Sequence, residues 1–157
     1  RINDAPKVIK NSAYYPVYPP AWIVYVEKEM PPMDYVRKAL KKKNLVYKQD
    51  EIQAISVNVN PEFIIAQPWS FPVDTVQNAI RKYPITQQDG TGLVLVAECF
   101  SKPLEKATTW VVFFNLKSRD ILWATKVSGD CGHMGYTAHW ASGVIDGFRD
   151  FIRTKYK

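Results

Sequence analysis

Cysteine is scarce. Of 157 residues only Cys99 and Cys131 are cysteine, which excludes a disulfide scaffold and allows one bridge at most. Histidine is equally scarce, with His133 and His139 alone. Neither half of a conventional zinc site, Cys-x-x-Cys or His-x-x-x-His, is spelled out. A run of eighteen apolar residues is missing, and so is a leader-type apolar segment, which excludes a helical membrane span in this sequence. No glycine loop of either standard phosphate-cradling kind occurs, and no paired carboxylates suggest acid/base work. Charge of one sign is also modest. The formal net charge is +6, and the basic residues are dispersed apart from Lys41-Lys42-Lys43. The aromatics fall on core stripes rather than between Lys and Arg, so nucleic acid is not the expected partner. The chain opens on Arg1 instead of Met. It reads as a trimmed or processed form, and export stays open.

What is present is core. Apolar residues make up 46% and aromatic residues 13%. A chain of this length forms one domain and buries about 68–70% of the surface its unfolded form exposes, without needing a metal. The organising stretch runs from Leu93 to Gly129. It reads as three strands, Leu93–Phe100, Thr108–Leu116 and Ile121–Ser128, rich in Val, Phe, Trp, Thr and Ile. The last two flank Lys117-Ser118-Arg119-Asp120, a short polar turn that signals a hairpin.

Residues 1–20 form a Pro/Tyr-rich extended arm, and 21–157 the single domain. The arm's tyrosines read as a cover packed back on the domain, with a tether or partner segment as the other reading. Strands are expected at Ala21–Val26, Leu45–Lys48, Ile55–Val59 and Phe63–Ala66. Met33, Val36 and Leu40 mark one helix. Lys41 to Lys43 would lie in its last turn and Asn44 would cap it, so the helix dipole accounts for the only charge run. An anionic-surface role is the other reading of those lysines. Ser70 is the expected cap of a second helix carrying Val73, Val76, Ile80 and Tyr83 and stopped by Pro84. A third helix, capped by Thr137, turns Trp140, Val144, Phe148 and Phe151 inward and Asp146, Arg149, Asp150 and Arg153 outward. Gly143 and Gly147 in its interior imply close approach to the sheet. The expected fold class is therefore α/β (α+β): a mixed sheet of five to six strands with an antiparallel C-terminal meander, and about three helices packed on it.

The loop Asp130-Cys131-Gly132-His133-Met134-Gly135-Tyr136, with His139 beyond it, is the one constellation with possible chemistry. Cysteine and histidine ligate zinc, and a thiol just ahead of a helix N-terminus favours its thiolate. Cys131, His133, Tyr136 and His139 are the candidate residues of a functional loop. No catalytic residue, cofactor or metal ligand is assigned. Cys99 reads as a small buried hydrophobe, and a Cys99–Cys131 bridge is left open. Glu98, the lone acid of an apolar strand, is expected at the sheet edge or facing solvent.

The cadence from Leu93 onward resembles a family. The second strand ends Phe113-Phe114-Asn115-Leu116, a polar turn follows, and the return strand begins Ile121-Leu122-Trp123-Ala124, before a loop and closing helix. This is similar to small bacterial envelope lipoproteins. They include activators of peptidoglycan synthases, the curli secretion lipoprotein and the N-terminal domain of the Tol-system translocation protein. Arg119-Asp120 stands where the family's turn has Thr-Gly. The resemblance implies a non-enzymatic protein-binding domain of the bacterial cell envelope or surface, from an exported lipoprotein. Its partners would be other envelope proteins, and it would meet the membrane only through an upstream lipid anchor. The alternatives are a small enzyme or metal site at the Cys131/His133 loop, and a basic adaptor binding nucleic acid.

Overall fold

The segment Trp110-Val111-Val112-Phe113-Phe114 has no polar break, and a strand so composed needs cover on both faces. It receives it. The computed structural model describes residues 28–46, 70–101, 103–132 and 136–154. Within them, strands β1 (Thr91–Ser101), β2 (Lys106–Asn115) and β3 (Ile121–Asp130) form an antiparallel sheet in the order β1-β2-β3. Helices α1 (Met33–Ala39), α2 (Val73–Arg81) and α3 (Tyr136–Thr154) complete the described elements. The α/β class, the C-terminal meander and three helices are as expected.

On one face of β2, Val111 packs with Val36 and Leu40 of α1 and with Phe148, Phe151 and Ile152 of α3. On the other face, Val112 and Phe114 meet Val76 and Ile80 of α2. The sheet is thus the middle of three layers. A third cluster at the start of β2 joins Ala107 to Cys131, Trp140 and Val144.

The β2–β3 turn is built by Asn115. Its side-chain oxygen accepts the N–H groups of Lys117 at 2.8 Å and Ser118 at 3.0 Å, and its own N–H donates to the Asp120 carbonyl. An Asx turn of this kind fixes the reversal locally. Arg119 takes the left-handed conformation at φ 65°.

Two irregularities re-aim side chains. Between Ala97 and Cys99 the register with β2 shifts by one, which makes Glu98 the extra residue of a bulge. Between Phe113 and Phe114 the register with β3 shifts likewise, with Leu122 extra. The second bulge lets Ile121 join the α2 face while Trp123, two residues on, packs its ring at a tilt against Phe113 and Phe151 on the α3 face. An uninterrupted strand would put both on one side.

Several expectations change. Of the additional strands, Ala21–Val26, Ile55–Val59 and Phe63–Ala66 lie outside the described residues, as do residues 47–48. Leu45 and Val46 are described and are not in a strand. The arm, residues 1–20, also lies outside. Helix α1 stops at Ala39, one turn earlier than its lysines suggest. Its left-handed cap is Lys41, at φ 52°, and not Asn44. Helix α2 has Pro72, which carries no capping acceptor, at its N-cap, and Ser70 is engaged elsewhere. Helix α3 already includes Thr137.

Candidate functional site

The loop at the end of β3 is tied down by its backbone. The Cys131 N–H donates to the Glu105 carbonyl at 2.7 Å. The Gly132 N–H donates to Ser142 Oγ, and that hydroxyl donates to the His139 carbonyl at 2.8 Å. Cys131 is buried against Ala107, Trp140 and Val144. His139 lies in the first turn of α3, its ring edge-on to Trp140 with centroids 4.7 Å apart. Its Nε2 is buried without a hydrogen-bond partner among the described residues. His133 lies outside the described residues, and of Tyr136 only the backbone, which opens α3, is described. Cys131 and His139 thus sit at the same end of α3. Among the described residues no three His, Cys, Asp or Glu side chains cluster as a metal site would require. No disulfide joins Cys99 and Cys131. Cys99 pairs with Thr108, while Cys131 packs under α3 on Ala107, so the sheet's alternation sends them to opposite faces.

The structure brings together a second group that sequence reading missed. The Glu98 bulge turns its carboxylate toward the segment leading into α2. Oε1 accepts the Phe71 N–H at 3.0 Å, the Ser70 hydroxyl at 3.2 Å and the Trp110 indole N–H at 3.2 Å. Lys126 of β3 stands 2.7 Å from the same oxygen, with its ammonium over the Trp110 ring at 4.8 Å from the centroid. The side chain of Glu98 is only 2% exposed, so it does not face solvent; it lies on β1, an edge strand of the described sheet, which is the other expected placement. Burial pushes its pKa up. The hydrogen bond from Lys126, the Phe71 amide, the Lys126 charge and the Ser70 hydroxyl together outweigh burial, so the carboxyl sits below its ordinary value. The only sequence trace of this centre was an acid inside an apolar strand. Its partners lie 27 and 28 residues upstream and 12 and 28 downstream, and no local pattern links them.

Lys126 also donates to Ser70 Oγ at 2.7 Å, which superficially resembles a serine–lysine nucleophile pair. Such a pair needs a lysine able to accept the serine proton. Here Lys126 donates to both oxygens and its positive charge balances Glu98. The Ser70 hydroxyl spends its own proton on the carboxylate. The chemistry of this centre is attachment: it pins the chain ahead of α2 to two strands of the sheet.

The third region is the outer side of β3. Leu122 is 58% exposed and Trp123 44%, next to each other at the bulged start of β3, the last strand of the described sheet. Neither exposure is needed by the turn, which Asn115 already fixes. Among the described residues no strand pairs with the far side of β3, and large apolar side chains at such an edge are a template for another extended segment. No described helix is long and apolar enough to cross a membrane. Comparison of the chain with protein-family models, curated proteins and solved structures finds no match.

Proposed function

We propose that this chain is a non-enzymatic protein-binding domain that engages an extended segment of a partner along the outer edge of β3. The observation that carries this reading is the exposed Leu122–Trp123 pair on a strand that ends the described sheet. Backbone pairing would supply affinity and the alternate side chains specificity. The ring of Trp123, backed by Phe113 and Phe151 at centroid distances of 5.9 and 5.7 Å, is a pre-positioned anchor.

The setting we propose is the bacterial cell envelope, with the chain part of an exported lipoprotein and its partners other envelope proteins. The support is the resemblance of the Leu93-to-C-terminus cadence to small envelope lipoproteins. In this reading strands among the segments 21–26, 55–59 and 63–66 bring the sheet to five or six strands.

The test is photo-crosslinking from position 122 in envelope extract, with and without Trp123→Ser. A discrete adduct with an envelope protein, lost in Trp123→Ser, is expected. Adducts that persist unchanged in that variant would remove the β3 edge as the binding surface.

A further inference from the structure

The lysine run beside α1 is displaced from the helix that was expected to employ it. The Lys42 N–H donates to the Arg37 carbonyl at 2.9 Å, and the Lys41 N–H to the Lys38 carbonyl at 3.2 Å. That is a Schellman closure, with Lys41 in the left-handed position usually given to glycine. Lys41, Lys42 and Lys43 therefore follow the helix instead of lining its last turn. All three are exposed, as is Lys38.

The one acid of α1 is already engaged. Asp34 is paired with Arg37 at 2.9 Å, and the Arg37 guanidinium also holds the Leu45 carbonyl at 3.0 Å. Among the described residues no carboxylate is paired with Lys38, Lys41, Lys42 or Lys43. The same short segment exposes two apolar groups, Tyr35 at 48% and Val46 at 60%. Four ammonium groups on long apolar stems, flanked by an aromatic and an aliphatic side chain, have the composition of a membrane-surface contact.

We propose that the corner formed by residues 35–46 docks on an anionic lipid bilayer, with Lys38, Lys41, Lys42 and Lys43 on the headgroups and Tyr35 and Val46 at the acyl boundary. Charge complementarity selects the partner. Each lysine near an anionic leaflet strengthens partitioning about fivefold. A nucleic-acid backbone would take the same charges, but it gives Val46 nothing to contact, and so the lipid surface is favoured. Its residues are not those of the β3 edge, and its test does not depend on any protein partner.

The experiment is co-sedimentation of the full chain with vesicles of phosphatidylcholine alone, or with one quarter phosphatidylglycerol. Binding is expected only to the anionic vesicles, and it should fall as salt rises. The triple variant Lys41→Gln, Lys42→Gln, Lys43→Gln should lose about a hundredfold in partitioning. A charge-matched control, Lys28→Gln, Lys82→Gln, Lys117→Gln, removes exposed lysines elsewhere and should stay within about threefold of the unmodified chain. Tyr35→Ser should weaken vesicle binding several-fold. Equal losses in the two triple variants would reduce the effect to net charge and overturn the proposal. So would equal binding to the two vesicle types, or tighter binding to a single-stranded oligonucleotide that Tyr35→Ser leaves unchanged.

Discussion

Gly129 of β3 and Gly143 of α3 meet backbone to backbone: a Cβ on Gly129 would overlap the Gly143 carbonyl oxygen and the Gly147 amide nitrogen. The helix crosses the strand at a point where neither carries a side chain. A glycine in a helix interior costs about 1 kcal/mol relative to alanine, and here the close approach that lets Trp140, Val144 and Phe148 reach the core offsets that cost.

The three glycines should therefore respond differently to alanine. Gly129→Ala drives a methyl group into backbone that cannot rotate away, and a loss of about 3 kcal/mol or more is expected. At Gly143 the new methyl would collide with Cys131 Sγ and the Ala107 Cβ, with a similar direction. At Gly147 the nearest atoms, the Gly129 nitrogen and Val127 Cγ2, stand at 3.2 Å. There the gain in helix propensity roughly cancels the crowding, and a net change within about 1 kcal/mol is expected. Urea midpoints of the three variants give the ranking. A Gly129→Ala protein as stable as Gly147→Ala would contradict the crossing.

Glu98 should make stability depend on pH in one direction. Its folded-state pKa is lowered, so the folded chain holds the ionised form more tightly than the unfolded chain does. The contribution is complete above the unfolded carboxyl pKa of about 4.3 and disappears as pH falls through the lower folded value. Glu98→Gln leaves Lys126 without its counter-charge and should cost about 2 kcal/mol at neutral pH. The gap between the two proteins should narrow below about pH 4. Denaturant titrations at neutral and acid pH measure this, and a gap independent of pH would mean that the carboxylate charge is not what pins the α2 segment.

How far the sequence discloses these features depends on their range. The stripe Trp140, Val144, Phe148, Phe151 was legible because a helix repeats its contacts at a fixed spacing, and all four face the core. The hairpin was legible because Asn115 to Asp120 is a local device. The bulges were not. A period-two pattern does not mark the residue that interrupts it, so Leu122 read as one more strand position and Glu98 as an acid at the sheet edge or facing solvent. Ser70 read as a helix cap because a serine ahead of a proline and an apolar stripe commonly is one; the competing acceptor, Glu98, arrives from a strand 28 residues later. At the Cys131 end, proximity of Cys131 and His139 was legible, but their packing against Trp140 depends on how α3 lies over Ala107.

Lys41 occupies a left-handed position that costs a side-chain-bearing residue about 1 kcal/mol relative to glycine. Lys41→Gly should therefore stabilise the chain by up to about 1 kcal/mol, with α1 unchanged. The measurement is a thermal melt with far-ultraviolet circular dichroism. Destabilisation by this substitution would argue that the lysine side chain, and not the helix closure, is what the turn depends on.

Thr109, at the middle of β2, is fully buried, and its hydroxyl has no hydrogen-bond partner among the described residues. It pairs with Ala97 on one side and Val127 on the other, so its neighbours offer it apolar surface. A buried hydroxyl left unsatisfied carries a desolvation cost of about 1–3 kcal/mol. Thr109→Val keeps the shape and branching and removes the hydroxyl, and a gain of about 1 kcal/mol is expected. Thr109→Ser keeps the hydroxyl but deletes a methyl group from the same packed site, and should lose about 1 kcal/mol through the cavity. The pair of variants separates the two effects. If valine destabilises, the hydroxyl has a partner that holds the centre of the sheet, and the polar atom belongs to the core's design.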